Sequence, residues 1–109
     1  MDSVIQNNLP AIVDLCNKYR ISRLYAFGSV LGENYSPEKS DIDLIIELEN
    51  MPALERGESI LNFWDEAERI FNKPVDLLTD QHIKNPFLKQ EIDKTKKIIY
   101  DRSKQEVFI

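Results

Sequence analysis

Apolar positions along the chain recur with two different periods, and the switches between them predict its elements. Between Ser3 and Tyr19, the residues Ile5, Leu9, Ile12, Val13, Cys16 and Tyr19 follow steps of three and four, which fits one helical face. Pro10 interrupts the run. Either the helix kinks there, or it starts near Asn8 with Pro10 in its first turn. Arg23–Phe27 is a short apolar run stopped by Gly28-Ser29, read as a strand covered on both faces. Gly32–Ser40 is polar, with Gly and Pro, and reads as loop. Asp41–Leu48 (DIDLIIEL) is too apolar and β-branched at its centre for an amphipathic helix, and predicts a second strand.

Asn50-Met51-Pro52 ends that strand. From Leu54 to Phe71, Ile60, Leu61, Trp64, Ala67 and Phe71 recur at helical spacing. Gly57 weakens the first turn and leaves Ser59 as an alternative N-cap. Lys73-Pro74 closes the helix. Val75–Thr79 predicts a third strand, Phe87–Lys94 a helix after Asn85-Pro86, and Lys97–Asp101 a last, edge-like strand. The tail Arg102–Ile109 is polar with an apolar tip, and is either disordered or docked. The two strands at 41–48 and 75–79 are read as inner strands. They are joined by a connection that holds a helix, which predicts a right-handed crossover and parallel pairing. The first strand is expected to pair antiparallel with the second. The expected architecture is one α/β (α+β) domain over residues 1–109, with a mixed sheet of about four strands and helices packed on one face.

Composition narrows the classes. With 109 residues, 42% hydrophobic, the chain is sized for one domain with its own core. The single Cys16 excludes an internal disulfide and a four-Cys zinc site. Fourteen basic against nineteen acidic residues give a net charge of −5. Proteins that coat nucleic acid gain affinity from surplus Lys and Arg, so that class is disfavoured. No apolar run approaches the ~20 residues of a membrane span. The opening MDSVIQNNLP lacks a basic patch followed by an apolar stretch, so no secretion signal is expected and the expected setting is cytoplasmic.

Candidate chemistry comes from the strands. Side chains on a strand alternate faces. Ile42, Leu44, Ile46 and Leu48 point one way and must meet the helices, while Asp41, Asp43, Ile45 and Glu47 point the other. On the third strand, Asp76 and Leu78 share the face opposite Val75 and Leu77. Asp41, Asp43 and Asp76 are therefore expected to converge on the uncovered face. Residues two apart on a strand are separated by about 6.6 Å and neighbouring strands by about 4.8 Å. Glu47 and Asp80 lie too far along for that cluster. Two unit charges ~5 Å apart at an effective dielectric of ~20 repel by about 3 kcal/mol. Protonation or a hard divalent cation must offset that. Oxygen-only ligands suit Mg²⁺ or Mn²⁺ over Zn²⁺, and Mg²⁺ completes its shell with water and substrate phosphates. Gly28-Ser29 ends the first strand beside the carboxylates. Gly permits close backbone approach, and free N–H groups after it suit an anion.

These elements resemble a known family. Phe27-Gly28-Ser29, then Asp41-Ile42-Asp43, then Val75-Asp76-Leu77 are similar to the pattern of the DNA polymerase β-like nucleotidyltransferases. The likeness is greatest to the minimal, single-domain members of prokaryotes. It runs from about Ile12 to Asp101 and implies the nucleotidyltransferase fold. It also implies that Gly28 and Ser29 bind the triphosphate of an NTP, with ATP expected. Asp41 and Asp43 would hold two Mg²⁺ ions, and Asp76 would ligate one and help activate the attacking hydroxyl. In the minimal family the acceptor often belongs to a small helical partner protein, as in a toxin–antitoxin module. That implies transfer of a nucleoside monophosphate to a partner's hydroxyl, with this chain as the antitoxin.

Two departures from the pattern keep other readings open. Many relatives carry Arg shortly after Gly-Ser, where this chain has Val30-Leu31-Gly32, and Lys39 is the only base in the loop that follows. The chain also leaves little room for an acceptor-binding domain. A binding module that neutralises a helical partner without chemistry is the alternative. Transfer to a small molecule, with the pocket built by a homodimer, is a third. Outside the three-Asp set, His82 reads as a surface residue. Cys16 and Trp64 read as packing. The Lys-rich stretch Lys84–Lys104 reads as a solvated face that can attract an acidic partner.

Overall fold

A computed structural model describes residues 3–27, 42–79, 86–102 and 106–107. Helices α1 (Ser3–Asn7) and α2 (Leu9–Lys18) precede strands β1 (Ile21–Phe27) and β2 (Ile42–Leu48). Helix α3 (Ala53–Phe71), strand β3 (Val75–Thr79), helix α4 (Pro86–Thr95) and strands β4 (Lys97–Asp101) and β5 (Glu106–Val107) follow.

The break at Pro10 takes the second of the two expected forms. α1 closes with the Asn8 amide donating to the Ile5 carbonyl at 3.2 Å, and α2 restarts immediately. Pro10 then stands in the first turn of α2, where a missing N–H removes no helical bond. α3 begins at Ala53 rather than at Ser59, and carries Gly57 inside it. Phe63, Ala67 and Phe71 are its buried residues, with Ile60, Trp64 and Ile70 partly buried against the core. Leu61, expected on that stripe, is 65% exposed. It stands two residues from Phe63, on the opposite side of a turn of about 3.6 residues. Asn72 ends α3 in the left-handed region, with φ 55°, a conformation Asn tolerates.

The strands form one mixed sheet in the order β3-β2-β1-β4-β5. β1 is antiparallel to β2 and to β4, and β2 is parallel to β3. The α3 crossover thus joins parallel neighbours as expected. Two expectations about edges are corrected. β3 is an edge strand rather than an inner one. β4 is interior, because part of the tail docks on it as β5. Tail pairing covers the outer side of β4, where Ile99, Tyr100 and Asp101 are buried.

Ile42, Leu44 and Ile46 meet α2 and α3 in the main core, with Ile12, Leu24, Ala26 and Phe63. The opposite face is partly covered as well. Ile45 is fully buried there, outside the main cluster. Just past α4, the Lys96 ammonium lies 4.2 Å from the centre of the Tyr25 ring, and Tyr25 is the cross-strand partner of Ile45. The end of α4 therefore reaches the face opposite α2 and α3.

Candidate active site

β3 lies beside β2 in a register that makes Asp43 and Asp76 direct partners. The Ile42 amide donates to the Pro74 carbonyl at 3.1 Å, one position before the pair, and pins that register. Each aspartate is flanked by buried apolar residues: Ile42 and Leu44 on β2, Val75 and Leu77 on β3. Those neighbours must enter the core, so alternation turns both carboxylates to the other face. On the far side of Asp43, Phe27 is its antiparallel partner. The result is a row Phe27–Asp43–Asp76 across three strands, with Asp76 exposed and Asp43 half-buried.

Helix α3 holds the start of β3 from outside. The Trp64 Nε1–H donates to the Val75 carbonyl at 2.6 Å, and the Val75 amide donates to the Glu68 carboxylate at 2.9 Å. The outward polar groups of the residue before Asp76 are thus both satisfied by one helix. Trp64 packs as expected and also makes this bond. The packing was readable from its spacing, but the bond was not. The one hint in sequence is that a buried indole N–H needs an acceptor.

Glu47 is excluded from the pair, as expected. It stands opposite Arg23, and the two close a salt bridge at 3.2 Å. Arg23 also reaches the buried Asp101 at 3.3 Å. Cys16 is fully buried in the core, and desolvation pushes its thiol up to about 12. It is a packing residue and a poor nucleophile. Gly28, Ser29, Lys39, Asp41, Asp80 and His82 lie outside the described residues.

Among the described residues, no group of three potential metal ligands assembles. Two of the three expected carboxylates are adjacent, and Asp41 falls beyond the start of β2. The donor set is all oxygen, which fits a hard divalent cation. A hollow of about 460 Å³, lined by Asp65, Glu68, Arg69, Asn72, Lys73 and Pro74, opens at the end of α3. Neither Asp43 nor Asp76 lines it. The carboxylate row is the better candidate, because it brings together two of the three aspartates that the sequence singled out.

Comparisons with known proteins identify the family and the fold. Residues 11–105 match a family model described as polymerase beta, nucleotidyltransferase. "Putative protein adenylyltransferase MJ1379" of Methanocaldococcus jannaschii is 31% identical over 81 residues, spanning 72% of this chain and 77% of that protein. A solved structure described as a "putative minimal nucleotidyltransferase" superposes with TM-score 0.71 at 22% identity, covering 89% of this chain and 95% of the other. The tri-AMPylated Shewanella oneidensis HEPN toxin in complex with MNT antitoxin gives TM-score 0.57 at 20% identity, covering 91% of this chain and 74% of the matched one.

Proposed function

The chain belongs to the polymerase beta nucleotidyltransferase family, and from that premise we propose that it moves AMP from ATP to a hydroxyl on a partner protein. The observation that carries this is the direct pairing of Asp43 with Asp76 across parallel strands. Two carboxylates held side by side on one face are costly unless a cation joins them. Asp41, Asp43 and Asp76 would hold Mg²⁺ or Mn²⁺. When bound, the metal neutralises phosphate charge and lowers the pKa of the attacking hydroxyl.

The chain's own residues set the rest. Asp76 is exposed at the open edge of the sheet, where an acceptor can approach and a carboxylate oxygen can take the hydroxyl proton. The hydroxyl oxygen bonds to the α-phosphorus, the bond from that phosphorus to the bridging oxygen breaks, and pyrophosphate leaves. Gly28-Ser29 follow Phe27, the residue paired with Asp43, and would bind the triphosphate. A protein acceptor is supported by the adenylyltransferase name of the archaeal relative and by the AMPylated toxin in the Shewanella complex. On this reading the chain is the antitoxin of such a pair, its partner is a small helical protein, and both act in the cytoplasm.

The test is label transfer. ATP labelled at the α-phosphate, Mg²⁺ and a candidate helical partner are incubated with the chain. Label should appear on the partner, and label at the γ-phosphate should not. Tight partner binding without Mg²⁺-ATP binding would instead establish the non-catalytic binding module. The substitution of Val30-Leu31-Gly32 for the usual Arg favours that outcome.

A further inference from the structure

We infer that Lys96 is a phosphate-binding residue of this nucleotide site, a cation supplied from the end of α4. The inference rests on the reading of the site as nucleotidyl-transferring. Negative phosphates need positive partners, and the loop after Gly28-Ser29 offers only Lys39.

Lys96 is on the correct face. Its ammonium lies 4.2 Å from the centre of the Tyr25 ring. Tyr25 pairs with Ile45, and two residues further along each strand Phe27 pairs with Asp43. Spacings of about 6.6 Å along a strand and 4.8 Å across put Tyr25 and Asp43 about 8 Å apart, with side chains on the same side. With the rest of the triphosphate directed toward Gly28-Ser29, which follow Phe27, the α-phosphate at the carboxylates is the one within reach of Lys96.

Lys96 is also held ready. Its side chain is only 19% exposed, unusually low for a lysine, so its charge is less screened than at the surface. Asp93 pairs with it at 3.1 Å, and its amide closes on the Ile92 carbonyl at 2.7 Å. An ammonium has three donors. Asp93 and the ring leave donor capacity for an anion. Arg23 shares the face, but Glu47 and Asp101 already engage it, at 3.2 and 3.3 Å. A purely structural lysine would only pin α4 to Tyr25, so the test must read phosphate rather than folding.

Titration calorimetry of the full chain with Mg²⁺-ATP provides that reading. Lys96→Met keeps the stem on Tyr25 and removes the charge. It should weaken binding by about tenfold, the loss of one charge-assisted bond, while Lys96→Arg should recover most of it. Equal affinity in the wild type and Lys96→Met overturns the inference and leaves the nucleotidyl-transfer reading intact. A wild type that binds neither Mg²⁺-ATP nor Mn²⁺-ATP overturns both. Should Lys96→Met fail to fold, acetylation of the wild type decides. Mg²⁺-ATP should slow modification at Lys96, and an unchanged rate overturns the inference.

Discussion

Asp43 and Asp76 are partners in the parallel register of β2 and β3, each the second residue of its strand. This makes one prediction about function and one about metal-dependent stability. Asp43→Asn should reduce nucleotidyl transfer by at least ~100-fold, since losing even an outer partner of a metal ligand costs about 10–100-fold. Adding Mn²⁺ should raise the Tm of the wild type and leave that of the variant unmoved. Chelation of the metal should abolish transfer without unfolding the chain.

Trp64 is predicted to matter for both stability and catalysis. Trp64→Phe leaves the carbonyl of buried Val75 without its donor. That should cost about 1–2 kcal/mol, and in a domain of this size each kcal/mol lowers Tm by about 4–8 °C. Because Val75 precedes Asp76, transfer should fall as well, through a lower kcat with little change in nucleotide affinity. A Tm change without any kinetic change would limit the bond to a structural role.

Glu66 links α3 to α2 by accepting from the Tyr19 hydroxyl and from the Lys18 ammonium. The Tyr19 bond is the chief cause holding the Glu66 carboxyl below its ordinary 4.5. A lowered folded value makes this contribution complete above about pH 4.5 and lost as pH falls through the folded value. Glu66→Gln and Tyr19→Phe should each flatten the acid limb of the stability curve. The same bond raises the Tyr19 hydroxyl above 10.0, so wild-type stability should also fall as pH climbs past that value. Urea titrations across pH measure both limbs.

Cys16 should be silent in the native state. Its thiol sits at about 12 and is fully buried, so thiol reagents near neutral pH should label it only after denaturant is added. The unfolded thiol ionises near 8.5. Between that value and about 12 the unfolded state sheds a proton that the folded state keeps, so this group lowers stability as pH rises. Rapid native labelling would show that α2 opens away from the sheet.

Local pattern determined much of this protein. Alternation on Ile42–Leu48 and Val75–Thr79 set which faces carry Asp43 and Asp76, because apolar neighbours leave a carboxylate only one side to take. The helix joining those strands dictated that they run parallel, and the strand period survives in the fold, while on α3 Phe63 rather than Leu61 is buried. Only the tertiary structure decided lateral order and long-range pairing. β3 became an edge and β4 an interior strand because β5, two residues of an unpromising tail, found a partner. The same holds for the Trp64 and Glu68 bonds to Val75 and for Lys96 over Tyr25. Periodicity records which side of an element is apolar. It carries no information about which distant segment will meet the other side, since that is set by the packing of the whole chain.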